Sequence, residues 1–106
     1  MKQTQIDEFR KNFKFLAITQ FEVGNGWAKL LHDFFVSLDN LPEGFLVTRV
    51  SRVYGKVMIS AFEPPNNWFD LTMTLATESS RWCEFCGQPG EIRATKWRYT
   101  TCEKHK

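Results

Sequence analysis

The sequence predicts an α+β fold in which a small body of helices and strands carries a C-terminal metal-binding finger. Three observations indicate this class: one segment with strong helical periodicity, one β-branched segment around a single turn, and three cysteines that all lie in the last quarter of the chain. At 106 residues the chain has room for one modest core. We therefore expect residues 1–80 to form the body and residues 81–106 to form a finger packed on it as one structural unit.

Two helices are predicted in the first half of the body. Thr4 and Asp7 have the spacing of a capping box, and apolar residues then recur at helical intervals, which predicts a first helix over about residues 5–18. After the turn at Gly24-Asn25-Gly26, a second apolar stripe continues to a stop at Pro42-Glu43-Gly44. This stripe consists of Trp27, Leu30, Leu31, Phe34, Phe35, Leu38 and Leu41.

A hairpin and a third helix complete the predicted body. Residues 45–62 are rich in β-branched side chains and contain one turn signal, Tyr54-Gly55-Lys56, so we expect two antiparallel strands. Pro64-Pro65 ends the second strand, because proline cannot donate to a sheet ladder. Asn67 is the predicted N-cap of a helix that runs to about Ser80 and leads directly into the cysteine cluster.

The finger is predicted from the spacing of four residues that zinc prefers as ligands. Cys83, Cys86, Cys102 and His105 form the pattern C-x2-C-x15-C-x2-H and use every cysteine in the chain. Each close pair can bind a metal ion from one tight turn, and the spacer is long enough for a hairpin that returns the second pair. Because four ligands fill a tetrahedron, the sequence predicts a structural Zn2+ and not a catalytic ion with an open position.

The residues between the ligands predict the local topology of the finger. Gly87 directly follows the second cysteine and permits the tight turn of a zinc knuckle. Residues 91–101 can form a short hairpin, and Cys102 with His105 would then lie on a final helical turn. A knuckle, a hairpin and a helical turn in this order are typical of a treble-clef finger.

No catalytic constellation accompanies the four ligands, so we expect no enzyme. A nucleobase deaminase needs H-x-E ahead of P-C-x-x-C, but the residues after His32 do not fit this motif, and Trp82 stands directly before Cys83 where the motif has proline. Treble-clef nucleases need further histidines, and only His32 remains once His105 is assigned; we expect it on a solvated helix face. A Cys102 nucleophile with His105 as its base is an alternative that the nearby C-x2-C pair makes weaker.

Charge and composition exclude several other classes. The net charge is +2, and residues 81–106 carry six basic and three acidic side chains, which is far from the dense basic patch of a dedicated nucleic-acid-binding protein. A hydrophobic content of 42% with 25% charged residues is typical of a folded chain. With no membrane-length apolar run, no signal peptide and cysteines at metal-ligand spacing, we expect a cytoplasmic protein.

Aromatic and basic residues leave a nucleic-acid interface open as an alternative. In the finger they alternate as base-stacking and phosphate-binding side chains do, at Arg93, Lys96, Trp97, Arg98 and Tyr99. The competing interpretation, which we favour, is that Trp82 and Trp97 pack over the small metal core. A second basic cluster on the hairpin is expected to be a solvated sheet face and consists of Arg49, Arg52 and Lys56.

Three segments between residues 24 and 105 carry recognisable motifs. They are Gly26-Trp27-Ala28-Lys29-Leu30-Leu31, the segment Ser51–Ser60, and Cys83–Gly90 followed by Trp97–Thr100, Cys102 and His105. Together they resemble a family of small uncharacterised proteins of bacteria and their phages, with a G-W-x-P-L helix, a K-E-K-F-G-G-L-R-F-Y strand pair and a closing C-x-x-C-G-x-P-G … W-x-x-T-x-C-x-x-H. The chain departs from this pattern at Ser51, Val53, Lys29, Lys56 and Met58, which replace two lysines, a proline, a glycine and an arginine.

The resemblance implies the architecture and a bacterial or phage setting, without an established activity. The function we favour is a small non-enzymatic zinc-binding protein that binds a macromolecular partner, as a phage-type inhibitor of a bacterial host factor or defence system. It would act in the bacterial cytoplasm, that of the host if phage-encoded. The second hypothesis is a nucleic-acid-binding accessory protein, and the third a metal-dependent enzyme. No membrane or small-molecule substrate is implied, and homo-oligomerisation stays open.

Overall fold

The computed structural model describes residues 1–93 and 98–106, and it confirms the α+β class. Within these residues, three α-helices and a three-stranded sheet form the body, and a short hairpin belongs to the finger. Turns of 3-10 helix lie at Lys14–Leu16, Asn25–Trp27 and Glu103–His105. The helices and strands are α1 (Gln3–Asn12), β1 (Gln20–Phe21), α2 (Ala28–Ser37), β2 (Leu46–Val53), β3 (Lys56–Phe62), α3 (Trp68–Ser79), β4 (Glu91–Ile92) and β5 (Thr100–Thr101).

Helix α1 is shorter than the sequence predicts. It ends at Asn12, whereas the prediction extended it to about residue 18. Phe13 has extended backbone angles, and a 3-10 turn follows it. The break places the rings of Phe13 and Phe15 against Phe35 of α2, with centroids 5.7 and 5.8 Å apart. Packing of these rings outweighs continuation of the helix.

Helix α2 also ends early, at Ser37 and not near Leu41. The Ser37 hydroxyl donates to the carbonyl of Phe34 at 2.6 Å, which satisfies one carbonyl of the last turn. Leu38 is extended, and Asn40 has a φ of 50°, a left-handed conformation that asparagine tolerates well. Leu38 and Leu41 still pack against the core, so the apolar pattern was interpreted correctly and only the end of the helix was wrong.

The two predicted helix starts have different outcomes. Lys2, not Thr4, precedes α1, and no side chain caps that helix, so the predicted capping box is wrong. Asn67 does precede α3, although its side chain makes no capping hydrogen bond. Asp70 lies in the first turn of α3, where its negative charge is favoured by the helix dipole.

The predicted hairpin is confirmed. β2 and β3 pair antiparallel along their length, with one irregularity in register after Val47. Tyr54 and Gly55 form the connection, and their φ values of 51° and 81° give the left-handed geometry that a two-residue hairpin turn requires. β1 joins the other side of β2 in parallel. Sequence reasoning missed β1 because two residues cannot show an alternating pattern.

Apolar side chains of the helices and strands form one core. Trp27 and Leu31 are fully buried, and the rings of Phe9 and Phe21 stack with centroids 5.5 Å apart. No helix among the described residues has the length and apolar character needed to cross a membrane. Among residues 1–93 and 98–106, the buried cluster lies within the body and consists of Phe9, Leu16, Val23, Trp27, Leu31, Phe34, Phe35, Phe45, Val47, Val50, Val57, Ile59 and Leu75.

Candidate metal centre

The four predicted ligands lie together at one point of the finger. The Sγ atoms of Cys83, Cys86 and Cys102 and a ring nitrogen of His105 are all within 4.8 Å of one another. His105 Nδ1 is 3.2 Å from Cys102 Sγ and 3.6 Å from Cys83 Sγ, and the sulfurs of Cys86 and Cys102 are 3.6 Å apart. A tetrahedron with metal–sulfur bonds of about 2.3 Å has edges of about 3.8 Å. The group is therefore positioned to bind a metal ion.

The donor set restricts which metal ions fit. Three thiols and one imidazole are soft and borderline ligands, whereas calcium and magnesium need oxygen. The three cysteines are free, so no disulfide competes for the sulfurs. The site consequently suits a tetrahedral transition-metal ion held by four protein ligands.

His105 also prepares the neighbouring thiol for metal binding. The hydrogen bond to His105 lowers the pKa of Cys102 from its ordinary value of 9.0 to about 6. The thiolate is the form that binds metal, and it predominates at any pH above this pKa. In the metal-free chain, Cys102 is therefore a thiolate at neutral pH.

The first ligand pair lies on a tight backbone loop. The N–H of Cys83 donates to the carbonyl of Gln88 at 2.7 Å, and the N–H of Gly87 donates to the carbonyl of Cys83 at 2.9 Å. Gly87 has a φ of 79°, which explains why glycine occupies the position after the second cysteine. A bond from the N–H of Gly90 to the carbonyl of Arg81, at 2.9 Å, closes the loop.

The second ligand pair follows a hairpin, as the sequence predicts. β4 and β5 pair antiparallel, and Cys102 comes directly after β5. A 3-10 turn then carries His105, whose N–H donates to the carbonyl of Cys102 at 3.1 Å. The N–H of Glu84 donates to the carbonyl of Thr100 at 2.9 Å and joins the loop to the hairpin. The treble-clef assignment itself stays a prediction.

The metal loop packs against the turn that precedes α2. The N–H of Gly26 donates to the carbonyl of Glu84 at 2.8 Å. A Cβ on Gly26 would lie only 2.3 Å from the carbonyl oxygen of Cys83, and a Cβ on Gly24 only 2.4 Å from that of Glu84. Neither glycine can carry a side chain without moving the loop. The turn that the sequence showed only as a break between helices is therefore a contact surface for the metal centre.

Two further hydrogen bonds join the finger to the body. The indole N–H of Trp27, whose ring is buried in the core, donates to the carbonyl of Trp82 at 2.9 Å. The hydroxyl of Thr100 donates to the carbonyl of Gly55, at the tip of the β2–β3 hairpin, at 2.7 Å. Both ends of the finger are thus attached to the body through polar atoms.

A buried ion pair adds a third connection. Glu84, between the first two ligands, is fully buried. Arg52 of β2 donates to its carboxylate through Nε at 2.6 Å and also through Nη2, and the N–H of Gly24 donates to it at 2.9 Å. The bond to Glu84 raises the pKa of Arg52, whose guanidinium carbon also lies 4.2 Å from the centroid of the Tyr99 ring. The carboxylate is thus fully satisfied by charge and hydrogen bonds.

Sequence reasoning missed this ion pair. Arg52 was assigned to a solvated basic face of the hairpin, and that prediction is wrong because its guanidinium is occupied by Glu84. Arg49 of the same cluster pairs with Glu22 at the surface. No pattern in the sequence singles out Glu84, since an acidic residue between two metal ligands is usually solvated.

Arg93, one of the predicted nucleic-acid-binding residues, is occupied inside the finger. Its Nη1 donates to Glu91 at 2.8 Å, and its Nη2 lies 3.5 Å from Glu103. Its Nε and Nη2 also donate to Thr101, at 3.1 and 3.2 Å. A phosphate would have to displace these partners to reach the guanidinium.

The other predicted nucleic-acid-binding residues have different environments. Tyr99 is partly buried, and its ring lies 5.8 Å from that of Phe85. Arg98 is exposed, with its guanidinium carbon 5.7 Å from the centroid of the Tyr54 ring. Lys96 and Trp97 lie outside the described residues.

His32 and Trp82 both lie outside the metal centre. His32 is exposed on α2, and its Nδ1 lies 3.6 Å from a carboxylate oxygen of Asp33, in agreement with the predicted solvated position. Trp82 is partly exposed, and its indole N–H donates to Glu78 of α3 at 3.1 Å. Neither residue contributes an atom to the metal centre.

The chain has no significant match among protein-family models, among curated proteins or among solved structures. The resemblance to a bacterial and phage family therefore stays a prediction. The function proposed below is based on the geometry of the metal centre and on the exposed surface of the body.

Proposed function

We propose that this protein is a small, non-enzymatic zinc-binding protein whose folded surface binds a protein partner. The observation that carries the zinc assignment is the Cys3His group itself. Its sulfur and nitrogen atoms all lie within 4.8 Å of one another, which is compatible with four ligands around one metal ion, and two of them come from a C-x2-C loop, as in zinc sites. Four ligands leave no open position for a catalytic water, so zinc would act structurally.

A structural role also follows from what the finger buries. Within residues 81–93 and 98–106, the buried side chains are Cys83, Glu84, Thr100 and Thr101. None of them is aliphatic or aromatic, so apolar burial contributes little to the stability of these described residues. Metal coordination supplies the missing free energy in fingers of this kind.

Exposed apolar side chains favour a protein as the partner. On α3, the side chains of Phe69 and Met73 are 72% and 51% exposed and lie one helical turn apart. β3, which packs against α3, exposes Met58 and Phe62. Large apolar side chains in solvent are typical of interaction surfaces. In a phage setting, which rests on the sequence resemblance alone, the partner would be a bacterial host factor or defence protein.

The zinc assignment is tested by metal analysis of the purified chain. Elemental analysis should find one zinc per chain, and X-ray absorption should find three sulfur ligands and one nitrogen at about 2.3 and 2.0 Å. A different metal, or a coordination shell rich in oxygen, would contradict the assignment.

The partner assignment is tested with a matched pair of variants. Phe69→Ser/Met73→Ser changes exposed positions of α3, and Val36→Ser changes an exposed position of α2 as the control. A bacterial protein that is captured by the wild-type chain and by the control, and lost with the double variant, would support the proposal. Fluorescence anisotropy with single-stranded DNA, duplex DNA and RNA tests the alternative. Nucleic-acid binding that survives physiological salt and disappears in Arg98→Ala would replace the protein partner.

A further inference from the structure

The three sulfur ligands differ in how far they are open to solvent. Cys83 is fully buried, Cys102 is partly buried and Cys86 is exposed. The sulfur of Cys86 is 3.6 Å from that of Cys102, about 1.5 Å more than a disulfide bond. The most exposed of the three cysteines therefore lies beside a partly buried one, while the third is enclosed.

We propose that Cys86 is an oxidation site, at which a peroxide converts the Cys86–Cys102 pair into a disulfide and releases the metal. This inference rests on the proposed function, because it takes zinc to be bound by all four ligands. It adds a modification site and its reactant, hydrogen peroxide or another small hydroperoxide.

The reaction balances in two steps. The sulfur of Cys86 attacks one peroxide oxygen, the O–O bond breaks, and hydroxide leaves and is protonated to water, so that Cys86 becomes a sulfenic acid. The thiolate of Cys102 then attacks the Cys86 sulfur, the S–S bond forms, the S–O bond breaks, and the sulfenic hydroxyl leaves as hydroxide, which takes a proton from solvent to give a second water. Two thiolates lose two electrons, and the peroxide gains them.

The surroundings select Cys102, and not Cys83, as the second sulfur. Cys83 is enclosed, and the adjacent Glu84 is held by Arg52 and by the N–H of Gly24, so this half of the loop is fixed to the body. Cys102 is only partly buried, and its sulfur lies 3.6 Å from that of Cys86. A movement of about 1.5 Å therefore brings these two sulfurs to bonding distance without uncovering Cys83.

Disulfide formation would remove two of the four ligands. Cys83 and His105 alone cannot complete a tetrahedron, so one zinc ion is released for each disulfide formed. The buried apolar cluster contains no residue of the described part of the finger, so the body keeps its core. Oxidation would thus change the finger and spare the body.

The test treats the zinc-loaded full chain with a small excess of hydrogen peroxide. Released zinc is measured with a chromogenic indicator, and trypsin peptides are mapped by mass spectrometry. We expect zinc release together with a cross-link between the peptide that contains Cys86 and the peptide that contains Cys102. Fragmentation between Cys83 and Cys86 assigns the sulfur. A bond between Cys83 and Cys86, or zinc retained while peroxide is consumed, would overturn the oxidation site.

A ligand-conserving variant separates oxidation from simple loss of a ligand. Cys86→His keeps four ligands and removes the exposed thiol, so peroxide should release zinc at least about tenfold more slowly than in the wild type. Release at the wild-type rate contradicts the proposal. If this variant fails to load zinc, the cross-link map of the wild type decides. Absence of zinc in the untreated wild type would instead refute the proposed function.

Discussion

The body and the finger bury opposite kinds of side chain. The body encloses aromatic and aliphatic residues such as Trp27, Leu31 and Phe35, whereas the described part of the finger encloses a metal ligand, a carboxylate and two threonines. One chain thus relies on two sources of stability. The body is stabilised by removal of apolar surface from water, whereas the described part of the finger has satisfied polar groups and, in our proposal, a coordinated metal ion.

Metal removal should produce the largest difference in stability between the body and the finger. We expect a strong chelator to unfold at least residues 81–106, because in structural fingers the apparent zinc affinity of about 10–16 kcal/mol is folding free energy. Amide NMR signals of the finger should collapse, while those of the buried body residues stay dispersed, and Cys86→Ser should act like chelation. Restored signals after zinc is added back provide the control. Unchanged circular dichroism and melting after confirmed metal removal would contradict the structural role.

Truncation in the core should instead destabilise the body. Leu31→Ala removes a fully buried side chain and should lower the free energy of unfolding by about 2–5 kcal/mol. Val36→Ala on the same helix is the matched control, because Val36 is exposed and its loss should be near neutral. Urea denaturation of both variants measures the difference. Equal losses of unfolding free energy in the two variants would show that the Leu31 face of α2 is not buried in the core.

The buried Arg52–Glu84 pair between the two regions should contribute more to the free energy of unfolding than the surface Arg49–Glu22 pair. Glu84→Gln leaves the guanidinium of Arg52 without a charged partner in a largely buried position, and it should cost about 3 kcal/mol. Glu22→Gln breaks a chemically equivalent pair with Arg49 on the same strand, but both side chains are exposed, so we expect no clear shift of the denaturation midpoint.

These two variants share one measurement, urea denaturation of the zinc-loaded protein. A midpoint for Glu84→Gln that equals that of Glu22→Gln would show that burial of the Arg52–Glu84 pair contributes nothing. If Glu84→Gln lowers the denaturation midpoint of the finger's amide NMR signals and not that of the body's, the ion pair stabilises the contact between the two regions.

The smallest effect is expected at His32. Its ring is exposed, lies 5.9 Å from the ring of Phe13 between centroids, and has a surface contact with Asp33, so His32→Ala should change thermal melting very little. Zinc content should stay at the wild-type level. A large loss of stability would show that the surface position of His32 is wrong.

The sequence predicts the parts of this fold that depend on local pattern. The hairpin, α3 and the four ligands were all recognisable, because β-branched runs, turn residues and ligand spacing act over short distances. The ends of α1 and α2 were wrong, since rings from distant segments stop α1 after Asn12, and the Ser37 hydroxyl and the left-handed Asn40 end α2.

The contacts around the metal centre could not be predicted in the same way. Glu84 and Arg52 are 32 residues apart, and neither belongs to a motif that indicates burial. The glycines at 24 and 26 indicate a turn, but a sequence cannot show that another loop lies against it. Long-range contacts between unlike segments leave no periodic signal in a single sequence.

The Gly24-Asn25-Gly26 turn packs closely on the metal loop, but it is synthesised well before that loop. Gly24 and Glu84 are 60 residues apart, so a ribosome exposes the turn roughly 3–12 s before the loop that covers it. During that interval the indole N–H of Trp27 and the glycine amides lack their final acceptors. Without a folded metal loop, these donors would keep facing water and not the carbonyl and carboxylate oxygens that accept from them in the structure.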